Sequence, residues 1–112
     1  MTIRGCYQNG VEQTVIGECK SPRPEDFIWV VPYTQIENTE KVFAGYRGRS
    51  TATENPSAEE RARYQTLRDS PNGKRSVVVV RGEIQCENQP QYGNGPGYKC
   101  ELILYRVLSI ST

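Results

Sequence analysis

At 112 residues and 36% hydrophobic content, the chain has the size and apolar supply of one domain, expected over 1–112. A formal charge of +1 excludes a global field drawing it to nucleic acid or anionic membrane, and no apolar run approaches the ~20 residues that span a bilayer. Histidine is absent, which removes imidazole acid–base catalysis, His metal ligands and every Ser-His or Cys-His pair.

The chain opens with TIRGCYQ, a short strand by its alternation, with Ile3 and Tyr7 as apolar members. This start reads as structured chain rather than a signal segment, which fits either an intracellular protein or a mature domain. Asn9-Gly10 is a tight-turn signal, and VEQTVIGEC reads as a second, β-branched strand. A turn at Asn9-Gly10 sets Cys6 opposite Gln13; a Cys6–Cys19 pairing instead requires a loop centred near Glu12-Gln13.

Pro22 and Pro24 break the chain. The segment Phe27 to Tyr33, FIWVVPY, is apolar on both faces, as in a central strand covered on two sides. Phe27, Trp29, Val31 and Tyr33 share one face, Ile28 and Val30 the other. A polar connection, TQIENTE, leads to KVFAGYRG, a candidate short strand with Gly45 and Gly48 permitting a bend. NPSAEERARYQTLRD is then the one helix expected. Asn55 caps it with Pro56 at the first helical position, or Ser57 caps it with Glu60 completing a capping box. The thin stripe of Ala58, Ala62 and Leu67 suits a helix that covers or plugs a sheet.

The last third forms a hairpin. Folding at Gly93 sets Cys86 opposite Cys100, each seven residues from that centre. It also sets Ile84 opposite Leu102, Gly82 opposite Leu104, Val78 opposite Leu108 and Ser76 opposite Ile110. These even positions share an apolar face, and Gln85, Glu101, Arg81 and Tyr105 occupy a face expected to be wetter. Val80 then meets Arg106. That mismatch predicts snorkelling, a bulge near Tyr105, or an arginine paired with a carboxylate.

Strand, strand, strand, a candidate short strand, helix, strand, strand resembles the order of the OB-fold. The expected fold is mostly β: a small five- or six-stranded antiparallel OB-like barrel with a helix between strands 3 and 4. A small β-sandwich or an α+β roll is the alternative.

Four cysteines in two local pairs predict disulfides Cys6–Cys19 and Cys86–Cys100, and hence a secreted or periplasmic setting; four buried thiols would instead fit the cytoplasm. Neither pair has zinc-knuckle spacing, and no metal or cofactor is expected.

Catalytic machinery is sparse, so the leading expectation is a non-enzymatic binding module with a protein partner. Its predicted surface is the Gly-rich loop carrying Tyr92, Asn94 and Tyr98, with Tyr7 and Asn9 beside it, because the first and last hairpin loops flank the ligand groove of an OB barrel. The Gly-rich run lies between strands, so it reads as a hairpin loop and not as a phosphate cradle. Arg47, Arg49, Arg63 and Tyr64 support a single-stranded nucleic-acid alternative, although interleaved acids favour a solvated face. A carboxylate-dependent enzyme using Glu83 or Glu101 is the third reading.

Overall fold

The computed structural model describes residues 1–11, 13–20, 23, 26–37, 55–90, 92 and 97–111. The candidate strand over 41–48, together with Arg47, Arg49, Asn94, Pro22 and Pro24, lies outside the described residues. Among the described residues five strands are present: β1 (Thr2–Gly10), β2 (Gln13–Gly17), β3 (Ile28–Pro32), β4 (Arg75–Cys86) and β5 (Cys100–Ser111). Between β3 and β4 lie a single turn, α1 (Thr34–Glu37), and the helix α2 (Ala58–Arg68).

The strands close into a barrel in the order β1-β2-β3-β5-β4, the OB-like arrangement expected. One seam departs from an all-antiparallel sheet. β3 runs parallel to β5, with Val30 beside Leu102 and Val31 beside Ile103. The segment that crosses from β3 to β4, carrying α2, makes that parallel neighbour reachable. No helix among the described residues is long and apolar enough to cross a membrane.

The final hairpin follows the expected register at its lower end, where Cys86 pairs with Cys100, Ile84 with Leu102 and Gly82 with Leu104. Above that point β5 carries two extra residues. Arg81 pairs with Arg106 and Val80 with Val107, so Tyr105 is inserted; Val79 pairs with Ser109, so Leu108 is inserted. Val78 therefore meets Ile110, correcting its expected pairing with Leu108, and Ser76 does not pair with Ile110. The bulge resolves the Val80–Arg106 mismatch: Val107 takes the inward place and Arg106 turns out. Bulges also add the bend and twist that a closing strand needs. Gly82 allows the closest approach, since a Cβ there would run into the Ile103 carbonyl and the Leu102 side chain.

The barrel interior is filled by Ile16, Val30, Val78, Val80, Leu102, Leu104 and Val107. Tyr64 and Leu67 of α2 join this same cluster with Tyr7, so the helix plugs one end of the barrel. Its start is the capping box predicted: the Glu60 amide donates to Ser57 Oγ at 3.2 Å, and the Ser57 amide donates to the Glu60 carboxylate at 3.0 Å. The connection after Tyr33, expected to be merely polar, instead makes α1 and buries Ile36 in the core.

The face of β5 expected to be wet is not. Ile103 is 0% exposed, Tyr105 is buried, and Glu101 is 2% exposed. Val31, Ile103 and Tyr105 form a second apolar cluster, with Trp29 and Tyr33 packed against it. The two faces of β3 thus serve different clusters, as its two-sided apolar sequence implies. Tyr33 and Tyr105 meet edge-to-face with centroids 5.1 Å apart.

Both predicted disulfides are formed. At the first hairpin neither expected centre is correct. Gly10 pairs with Gln13 and Cys6 with Gly17, so the turn falls after Gly10. Cys19 lies beyond the end of β2 and reaches Cys6 diagonally, with the two Cα atoms 5.1 Å apart.

Candidate binding surface

The β4–β5 loop is tied at two levels. Cys86–Cys100 closes its base, and the Glu87 amide donates to the Lys99 carbonyl at 2.8 Å. Further out, Tyr92 and Tyr98 exchange backbone hydrogen bonds of 3.1 and 2.8 Å. Gly97, next to this bridge, has φ +83°, and a side chain there would meet Pro90. Glycine is what the return of the chain to Tyr98 requires.

Tyr92 and Tyr98 are both half-buried. Tyr98 lines a cleft of about 140 Å³ with Phe27, Val15, Gln8, Asn9 and Gly10. The cleft brings the last hairpin loop to the first hairpin. Phe27 reaches it because Gly17 has no side chain; a Cβ at Gly17 would stand 2.8 Å from the Phe27 ring. Sequence reasoning missed Phe27, Val15 and Gln8. Each reads as an ordinary strand residue, and only the tertiary closeness of Phe27 to Gly17 makes a cleft of them.

Of the other described residues predicted for this surface, Tyr7 is placed inward, and Asn9, although it lines the cleft, spends its side chain on the end of α2. Tyr7 belongs to the core, where burial pushes its phenol up to about 12. Asn9 is 8% exposed, and its amide nitrogen donates to the carbonyls of Leu67, Arg68 and Ser70 at 2.8, 3.4 and 3.1 Å. Its oxygen accepts from the Thr14 hydroxyl at 3.1 Å. Asn9 thus satisfies the open carbonyls at the C-terminus of α2.

Of the nucleic-acid set, Arg63 and Tyr64 are described. Arg63 donates to the Val107 carbonyl at 3.1 Å and lies 3.8 Å from Glu59. Tyr64 is buried and donates to the Glu37 carboxylate at 3.0 Å, with Arg68 3.6 Å from the same carboxylate. Burial raises the Tyr64 phenol well above its ordinary range. Tyr64 therefore offers no exposed stacking face, and Arg63 is engaged by a backbone carbonyl and an ion pair.

Glu83 is exposed and Glu101 buried, on diagonal positions of the outer hairpin face. All four cysteines are oxidised, and among the described residues no three His, Cys, Asp or Glu side chains form a metal-binding group.

No family model matches the chain, and no curated protein or solved structure matches it.

Proposed function

We propose that this OB-like barrel is a non-enzymatic binding module for a protein partner, working in an oxidising compartment. The observation that carries the reading is the cleft where Tyr98 of the disulfide-tied loop meets Phe27, Val15 and Gln8 of the first hairpin region. Half-buried aromatic rings on a braced loop lose little conformational freedom on binding, and such anchors dominate protein interfaces. Two disulfides support a secreted or periplasmic location.

A photo-crosslinking residue at Tyr98 should trap the partner, and the same residue at exposed Glu83 should not. The partner identified by mass spectrometry is then purified and titrated. Tyr92→Ala/Tyr98→Ala should weaken its binding at least tenfold and shift the melting temperature by only a few degrees. Equal trapping at both positions, or unchanged affinity of the double variant, defeats the assignment.

A further inference from the structure

One seam of the barrel is incomplete. The β1–β2 ladder ends at Cys6–Gly17, so Thr2 to Gly5 have no β2 partner, although the same residues pair with β4 on their other side. Met1 and Gly82 exchange both backbone hydrogen bonds, at 2.9 and 3.0 Å. Such pairs alternate along an antiparallel ladder, so Thr2 and Arg4 turn their N–H and C=O groups away from β4 and into the gap. Both residues are exposed, and among the described residues no backbone group meets them there.

Two cavities, of about 180 and 220 Å³, flank the gap and share Arg4, Gly5 and Glu18. The smaller has an apolar floor of Ile3, Ile16 and Ile28, and its polar lining holds Glu18 and Asp26 against Arg4; the larger adds Lys20 beside Glu18.

We propose that this seam accepts an extended segment of a partner protein, which adds as a strand along Thr2–Gly5 and lays a lysine or arginine side chain over the three isoleucines. Unpaired strand edges template such addition, with main-chain bonds giving affinity and alternate side chains giving choice. At ~3.3 Å per residue the free edge is ~13 Å long, enough for two residues to exchange bonds with the incoming chain. The isoleucine floor takes the methylene stem of a basic residue, and Glu18 and Asp26 of the smaller cavity take its cation. An acidic residue at the same position meets repulsion.

The probe is the blocked heptapeptide Thr-Val-Thr-Lys-Thr-Val-Thr, compared with its central-Glu analogue and with an analogue N-methylated on alternate residues. Amide exchange of the ¹⁵N-labelled protein is followed by NMR. The Thr2 and Arg4 amides should exchange freely in the isolated protein and slow at least tenfold with the Lys peptide. The Glu peptide should bind at least tenfold more weakly, and the N-methylated peptide should give no protection. Glu18→Gln/Asp26→Asn should erase the Lys-over-Glu preference while leaving the melting temperature within a few degrees. Prior protection of Thr2 and Arg4, equal binding of Lys and Glu peptides, or no binding of the Lys peptide overturns the proposal.

Discussion

Arg106 on β5 and Glu60 in the first turn of α2 are joined by two hydrogen bonds, Nε to Oε2 at 2.6 Å and a terminal guanidinium nitrogen to Oε1 at 3.2 Å. The same carboxylate closes the capping box with Ser57, so one buried acid serves both the helix start and the attachment of the helix to the barrel wall. The Arg106 hydrogen bond is the chief cause that lowers the Glu60 carboxyl to about 2 from 4.5.

A lowered carboxyl pKa makes stability depend on pH in one direction. The contribution is fully present above about pH 4.5 and is lost as pH falls towards 2. Its size is on the order of 3 kcal/mol, from 1.36 kcal/mol per tenfold change in proton affinity. Urea unfolding at pH 7, 4.5, 3 and 2 should show this decline. In Arg106→Met the decline should be much shallower and be complete nearer pH 4.5, whereas Glu60→Ala, which loses cap and pair together, should cost about 3–5 kcal/mol at pH 7. Parallel acid profiles for wild type and Arg106→Met would contradict the linkage.

Asn9 links the first hairpin to the other end of the same helix. It contacts three carbonyls of α2 and its exit, and Gly73, just past that end, donates its amide to the Asn9 carbonyl at 2.8 Å. Asn9→Ala removes all three side-chain bonds to the helix end, the buried one to Leu67 among them, and should destabilise by about 2 kcal/mol. Asn9→Asp should be worse, since it sets a negative charge against the negative end of the helix dipole. Chemical denaturation ranks the three proteins; an Asp variant as stable as wild type would show that the amide donor is dispensable.

The capping box at Ser57 and Glu60, the two-faced β3 and the Cys86–Cys100 register were legible because each rests on short-range pattern. What escaped was set by tertiary closeness. Two inserted residues, Tyr105 and Leu108, cannot be seen in a hairpin folded by symmetry, although the awkward Val80–Arg106 pairing marked where the register slips. Asn9-Gly10 carries a turn signal, yet the Asn9 side chain is claimed by the helix end at Leu67, 58 residues later in the sequence. The cleft beside Tyr98 depends on Phe27 filling the space over Gly17, which no local pattern encodes.

Tyr7 and Tyr64 lie in one buried cluster at the plugged end of the barrel, and burial is the largest cause that raises both phenols. A raised phenol pKa stabilises the fold fully below about pH 10, and that contribution is lost as pH rises through the folded value, about 12 for Tyr7. Titration at 295 nm should show Tyr7 ionising near pH 12 and Tyr64 later still, or both only with unfolding. Tyr64→Phe should remove one late-titrating group and leave the Glu37 carboxylate without its hydroxyl donor, at a cost of about 1–2 kcal/mol. A Tyr64→Phe titration curve with the same late amplitude as wild type would mean that Tyr64 is not the group seen.

The two disulfides close chain segments of nearly equal span, 13 and 14 residues, so loop-closure entropy alone gives each about 3 kcal/mol. Access separates them. Cys86 is exposed at the neck of the β4–β5 loop, whereas Cys6 is buried beneath the first hairpin. Thiolate attack requires an open path to sulfur, so limiting dithiothreitol should open Cys86–Cys100 first. Alkylation followed by peptide mass mapping should label Cys86 and Cys100 well before Cys6 and Cys19. The partly reduced protein should keep its barrel, because the β4–β5 ladder continues from Gln85–Glu101 towards Val77–Ser111 without the bond. Its melting temperature should fall by about 10–20 °C. Simultaneous labelling of all four cysteines would show that opening either bond unfolds the whole barrel.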